Sequence, residues 1–263
     1  MRGTRKFGES GAFPRYGLSE GPNGAYRWHS EGTVEGGLLQ MGKRLFDIVF
    51  GTLLALLALP VIVLCGLGVA LTLRTTPFFV QRRVGRNGQC FTFFKLRTLP
   101  TSVPRYADKY ALGDVNLPRF TRLLRQLHLD ELPQLFLVPL GKMSLVGPRP
   151  EMLMLHERLP ESFAGRRTAV RPGCTGLWQI GKHADGLIGE APVYDQFYLD
   201  NQSLKLDLWI LARTVGLLTG RGAIIDLCDI PSSVLKEPEV RVSDGPSLIG
   251  SGRSVAQSSL ELP

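Results

Sequence analysis

Charge is what this chain lacks over its longest stretch. No Asp, Glu, Lys or Arg occurs from Ile48 to Leu73, a run of 26 residues. Acidic residues are missing for longer still: none lies between Asp47 and Asp108, although seven Lys or Arg fall in that interval. A helix through the charge-free run would rise about 39 Å, more than the hydrocarbon core of a bilayer, so the chain is expected to be membrane-attached. Pro60, near its midpoint, removes a helix hydrogen bond and predicts a kink or break. Lys43 and Arg44 precede the run, and Arg74, Arg82, Arg83 and Arg86 follow it. Positive charge on both flanks suits a helix that enters, turns near Pro60 and leaves by the same face better than a simple crossing.

Cysteine is scarce too. Cys65, Cys90, Cys174 and Cys228 form no CxxC pair, and the four histidines are dispersed. That excludes a disulfide framework and a zinc site, and fits reduced thiols in a cytosol-facing protein. The net charge of +8 comes with no recognition motif and no basic ladder interleaved with aromatics, so nucleic acid is not an expected partner. A basic segment beside an anchor instead suits anionic lipid headgroups or a phosphorylated substrate. No internal repeat is present. The apolar segment starts too late and is too long for a signal peptide.

These features divide the chain into a Gly/Ser-rich disordered extension over 1–40, a membrane helix over 41–75, a folded domain over 76–228 and a polar disordered tail over 229–263. Met41, directly before Gly42-Lys43-Arg44, is a candidate natural start. Phe78–Val84 and Cys90–Leu96 are β-prone runs around an Asn87-Gly88 turn, which predicts a hairpin. Phe120, Leu123, Leu124 and Leu127 recur at helical spacing, and a second short helix is expected from Asp130, with Gly141 ending it. Leu204, Leu208, Leu211, Val215 and Leu218 predict an amphipathic helix that lies on the membrane surface or closes the core, the latter favoured because its polar face lacks a dense basic stripe.

Asp130-Glu131 is the most suggestive cluster. Adjacent carboxylates at a helix start can reach one cavity, where one attacks and the other holds a divalent cation. They can equally cap the helix and complement its dipole, worth about 0.3–1 kcal/mol. Context favours chemistry. Phosphoryl transfer from a diphosphate needs cations placed where negative charge develops. Arg125 lies five residues before Asp130, and Arg149 is held between Pro148 and Pro150, which stiffen its backbone. Lys95 and Arg97 share a strand face at period two, as substrate contacts or as a headgroup-facing basic edge.

In order along the chain stand Lys43-Arg44-Leu45-Phe46-Asp47, Gln81-Arg82-Arg83-Val84-Gly85-Arg86-Asn87-Gly88, Phe94-Lys95-Leu96-Arg97 and Leu129-Asp130-Glu131-Leu132-Pro133-Gln134-Leu135. Met143-Ser144-Leu145-Val146-Gly147-Pro148-Arg149-Pro150, Arg171-Pro172-Gly173, Thr175-Gly176-Leu177-Trp178-Gln179 and Tyr198…Ser203…Asp207 follow. With these the chain resembles the bacterial sugar transferase family, the monotopic phosphoglycosyl transferases, over about residues 41–225. The resemblance implies an α/β, mainly helical, membrane-associated domain on an N-terminal re-entrant helix kinked at Pro60. It implies transfer of a sugar 1-phosphate from a UDP-sugar to polyprenyl (undecaprenyl) phosphate with release of UMP, an early step in exopolysaccharide, capsule or other glycan synthesis. Asp130 would form a covalent phosphosugar intermediate, with Asp130 and Glu131 binding Mg²⁺. Arg125, Lys95 and Arg97 would meet substrate, and Pro148, Arg149 and Pro150 would line the nucleotide site. The expected location is the bacterial inner membrane with the site facing the cytoplasm, in association with downstream glycosyltransferases or itself. The rival class is a non-catalytic, membrane-tethered basic module that binds lipid or scaffolds other enzymes. Two departures from the family pattern stand out: Leu59 replaces a usual serine before Pro60, and Ile180-Gly181-Lys182-His183 follows Trp178-Gln179 where Ser-Gly-Arg is usual.

Overall fold

The Asn-Gly turn folds as its chemistry predicts. β1 (Phe78–Val84) pairs antiparallel with β2 (Cys90–Leu96), Phe78 opposite Leu96 and Val84 opposite Cys90. Asn87 and Gly88 carry the positive φ values, 55° and 73°. Cross-strand pairing puts Phe79, Gln81 and Arg83 on one face with Lys95, Phe93 and Phe91. That face turns inward, whereas Phe78, Val80 and Arg82 are exposed. These coordinates come from a computed structural model describing residues 34–106 and 115–236, with side chains from residue 40.

The charge-free run lies within α1 (Val34–Leu73), a helix that includes Pro60 and is apolar enough to span a membrane from Gln40 to Leu73. It begins ahead of the expected residue 41, so 34–40, expected to be disordered, are helical. Once nucleated by the apolar run, each added residue contributes a hydrogen bond. The rest of the expected extension lies outside the described residues. One stripe of α1 is buried: Asp47, Gly51, Ala55, Ala58, Ile62, Gly66 and Val69, at the three- and four-residue spacing of one helix face. Small residues there let the helix lie close to the domain. A Cβ on Gly51 would fall 2.6 Å from Val138 Cγ1, and one on Gly68 would fall against the Phe120 ring. The opposite face, including Leu53, Leu56, Leu57, Val63, Leu64, Leu67 and Leu71, is exposed.

Charges fasten the start of α1. Lys43 Nζ reaches Asp207 Oδ2 at 2.5 Å and the Val146 carbonyl at 3.0 Å. The Arg44 guanidinium donates to the Val138 and Pro139 carbonyls at 2.8 and 2.9 Å. Buried Asp47 accepts from Ser144 Oγ at 3.1 Å and from the Leu145 N–H at 2.9 Å.

After the hairpin, α2 (Arg119–Gln126) leads through His128, at φ 54°, into a 3₁₀ helix over Leu129–Leu137. The expected short helix therefore exists with the tighter winding, and Gly141, at φ 74°, turns the chain beyond it. β3 (Ser144–Val146) pairs in parallel with β4 (Gly173–Thr175), and α3 (Leu153–His156) and α4 (Glu161–Thr168) lie between them in sequence. α5 (Leu177–Ile180), α6 (Val193–Asp200) and α7 (Leu204–Leu218) complete a mixed α/β domain.

Met143, Leu145, Leu177, Trp178, Tyr194, Tyr198, Leu206 and Ile210 form the centre of its core. α7 has Ser203 as its N-cap, accepting from the Leu206 N–H at 3.1 Å. Its fully buried core contacts come from Leu206 and Ile210, with Trp209, Leu211 and Leu217 partly buried against the core, while the rest of the expected core stripe is outward: Leu204, Leu208, Val215 and Leu218 are exposed. Lys43 selects that rotation, because buried Asp207 must face inward to meet it. The core also runs past residue 228. Ile230 is buried and Val234 and Leu235 pack on it, so 229–236 do not belong to a disordered tail. Their apolar side chains cover the core beside Ser203, whose hydroxyl donates to the Val234 carbonyl at 3.2 Å. Residues 237–263 lie outside the described part.

Candidate active site

The left-handed backbone at His128 reverses the chain after α2 and presents Asp130 and Glu131 in the first turn of the 3₁₀ helix. Asp130 is 3% exposed. Its Oδ2 meets Lys95 Nζ, on the inward face of the hairpin, at 3.3 Å. Glu131 Oε1 meets Arg149 Nη2 at 3.2 Å. Each carboxylate thus has a different cation, supplied by a different element. Among the described residues, Asp130 Oδ1 and Glu131 Oε2 accept no hydrogen bond.

The two carboxyl groups are pushed apart in acidity. Burial raises Asp130, and Lys95 only partly opposes it, with Glu131 adding to the rise. Burial would raise Glu131 as well, but Arg149 and then Lys95 override it and hold its carboxyl down at about 2. Arg149 is raised in turn, chiefly by Glu131.

A cleft of about 160 Å³ opens over this pair. Arg83, Lys95, Arg97, Arg125 and Arg149 line one side, and Met152, Leu155, Trp178 and Ile188 contribute apolar surface. Asp130 and Glu131 are not among the lining residues; they stand beyond Lys95 and Arg149, which are. Arg97 is held by backbone, with Nε on the Thr76 carbonyl at 3.2 Å and Nη2 on that of Phe78 at 3.4 Å. Arg125, on α2, faces the cleft, and its charge reaches Asp130. Pro148 and Pro150 are buried and are not among the residues lining the cleft, whereas Arg149 between them is. Their loop is pressed onto β4: a Cβ on Gly173 would collide with Gly147 N at 2.1 Å, so only glycine fits there.

The structure therefore brings together Lys95, Arg97, Arg125, Asp130, Glu131 and Arg149. It adds Arg83, Gln81 and Trp178, which motif spacing did not single out. Arg83 donates from Nη1 to the Pro150 carbonyl at 3.1 Å and lies 3.6 Å from Glu151. Burial and Arg149 lower its guanidinium to about 10, against the pull of Glu151. Gln81 is buried, its Nε2 donating to the Arg105 carbonyl at 2.8 Å. Period-two alternation back from Phe79, the partner of Lys95, would have found both.

The sequence profile described as bacterial sugar transferase matches residues 38–221. The uncharacterized sugar transferase EpsL of Bacillus subtilis is 39% identical over 174 residues, covering 66% of this chain and 85% of that protein. The UDP-glucose:undecaprenyl-phosphate glucose-1-phosphate transferase of Caulobacter vibrioides is 38% identical over 193 residues, 69% of this chain and 71% of its own length. The undecaprenyl-phosphate glucose phosphotransferase of Komagataeibacter xylinus is 36% identical over 187 residues, and there this chain spans 35% of the relative. A match over most of the described domain makes this chain a member of the bacterial sugar transferase family.

Proposed function

We propose that the chain transfers a sugar 1-phosphate from a UDP-sugar to polyprenyl phosphate, through a covalent intermediate on Asp130. The observation that carries this reading is a buried carboxylate, poised on Lys95, beside a cleft lined by Arg83, Arg97, Arg125, Arg149 and that lysine. Relatives named as undecaprenyl-phosphate sugar-phosphate transferases supply the substrate classes.

In this scheme the diphosphate of the donor lies against Arg83, Arg125 and Arg149. Its charge draws Lys95 off Asp130, freeing a lone pair on Oδ2. Asp130 attacks the phosphorus that bears the sugar. The Asp130 O–P bond forms as the bridging P–O bond breaks, and the electron pair leaves with UMP. An oxygen of polyprenyl phosphate then attacks the same phosphorus, giving the sugar on a lipid diphosphate and restoring the Asp130 carboxylate. Splitting the reaction this way lets a soluble donor and a lipid acceptor use one small site in turn.

Mg²⁺ fits beside the pair, because Asp130 Oδ1 and Glu131 Oε2 offer hard oxygens free of hydrogen bonds among the described residues. Such an ion is commonly held by one or two carboxylates, with water and substrate phosphate completing its shell. When bound, it would neutralise charge developing on the diphosphate. Glu131, ionised well below neutral pH, is the steadier of the two ligands.

The same reading places the domain on one face of the membrane. Both ends of α1 touch that domain: Lys43 and Asp47 hold it at β3, and Gly68 meets Phe120 of α2. A straight crossing would drag α2, with Arg119 and Arg122, or the Lys43 end to bilayer depth, at a cost of a few kcal/mol per charge or more. A helix that dips into one leaflet, with Pro60 deepest, keeps both ends in the cytoplasm of the cell.

The test is incubation of purified protein with Mg²⁺, polyprenyl phosphate and a panel of UDP-sugars, reading UMP release. Release with one donor, lost in Asp130→Asn, is expected. No release with any donor, or undiminished release in that variant, would overturn the assignment.

A further inference from the structure

An ion pair that sequence spacing does not connect to the site lies behind the Pro148-Arg149-Pro150 loop. Arg167, in the last turn of α4, pairs through Nε with Asp195 Oδ2, in the first turn of α6, at 2.7 Å. Their side chains are 4% and 3% exposed. The helix ends suit them, with a cation in a last turn and an anion in a first turn. A pair buried this deeply adds little net stability, because desolvation offsets the attraction. What distinguishes it is its remaining donor: Arg167 Nη2 donates to the Arg149 carbonyl at 2.6 Å.

That contact falls on a loop with few other ways to be held. Pro148 and Pro150 have no N–H, so the loop grips the domain through its carbonyls. Pro148 accepts from the Gly173 N–H at 2.9 Å, and Glu151 from the Val84 N–H at 2.9 Å. Pro150 accepts from Arg83, and Arg149 from Arg167. On the cleft side, Arg149 reaches Glu131. A line of contacts therefore runs from Asp195 through Arg167 to the Arg149 carbonyl, and from the Arg149 guanidinium to Glu131, linking α6 to the neighbour of Asp130. Only a planar fork serves both ends of its middle link, since a lysine at 167 could not hold Asp195 and the carbonyl together.

We propose that Arg167 and Asp195 are positioning residues, clamping the backbone of Arg149 so that its guanidinium is aimed at Glu131 and at the donor diphosphate. The identity of that donor rests on the function proposed above; the clamp itself rests on the contacts. The more exposed pair Arg166–Asp200 joins the same two helices. It provides the control for a purely structural effect.

The experiment is a double-mutant cycle of Arg167→Lys with Arg149→Lys in the full-length protein. It is read both as kcat for UMP release and as Kd for inorganic pyrophosphate, a probe of the cationic cleft that needs no sugar transfer. Arg167→Lys is expected to lower kcat roughly ten- to hundredfold alone, as a small misplacement of a charge-stabilising group does, and to add little in the Arg149→Lys background. Pyrophosphate affinity should fall alone and be indifferent in that background. Asp195→Asn should behave like Arg167→Lys, whereas Asp200→Asn should leave kcat within twofold while shifting Tm. Equal losses from Arg167→Lys in both backgrounds, or an equal kcat loss in Asp200→Asn, would overturn the proposal. If the wild-type protein releases no UMP, the donor assignment fails, and the pyrophosphate cycle still decides the clamp.

Discussion

A carboxylate that attacks phosphorus must be ionised, yet Asp130 sits where burial favours its protonated form. Its pKa in the fold is raised above the unfolded value, so the stability it contributes is present at low pH and is lost as pH rises through the raised value. At neutral pH the ionised group is therefore a burden on the fold. Asp130→Asn is expected to abolish turnover, roughly 10³-fold or more, while raising Tm at pH 7.5; a lowered Tm in thermal melts would contradict this account. Lys95 pulls the other way on Asp130, so Lys95→Met should move the acid limb of the kcat profile to higher pH as well as reduce its height. Glu131 has the opposite sign. Its carboxyl is depressed to about 2, so its contribution holds above the ordinary carboxylate value and disappears as pH falls toward 2. Asp130, Glu131 and Arg149 were legible in the sequence because an acidic pair and a proline-bracketed arginine are local patterns. Arg167 and Asp195 were not, because their meaning depends on α4 packing on α6 and on where one guanidinium nitrogen ends up.

The hairpin was legible to the residue, since alternation and an Asn-Gly turn fix register locally. The rotation of α7 was not. Its outward stripe of Leu204, Leu208, Val215 and Leu218 has the periodicity of a core face, and the distant Lys43, with the Tyr198 hydroxyl, explains why Asp207 took the inside. Likewise, hydropathy marks α1 as apolar but does not distinguish the side that packs from the side that faces outward. The small residues do. Gly51→Leu should destabilise the domain by about 1–3 kcal/mol in detergent, because the added side chain meets Val138 across a filled interface. Leu57→Ala, on the exposed face, should stay within about 0.5 kcal/mol of wild type. Denaturant titration monitored by tryptophan fluorescence would separate the two.

At the scale of the whole molecule, topology is the open quantity that the contacts of α1 address. Single cysteines introduced at Gln40 and Thr75, on either side of the apolar run, are expected to react with a membrane-impermeant maleimide only after permeabilisation. Labelling of either one in intact cells would replace a dipping helix by a crossing one. The attachment of α1 has a second consequence. Ala58 and Ile62 pack on Leu132 and Leu135, which lie in the same 3₁₀ helix as Asp130, and Lys43 and Asp47 pin α1 to β3. The apolar helix and the 3₁₀ helix that carries Asp130 therefore share one packed interface. Under the function proposed above, such an interface would work as a ruler: it would fix the height of Asp130 above the hydrocarbon and select the acceptor by where its phosphate floats, before any contact with the chain that carries it.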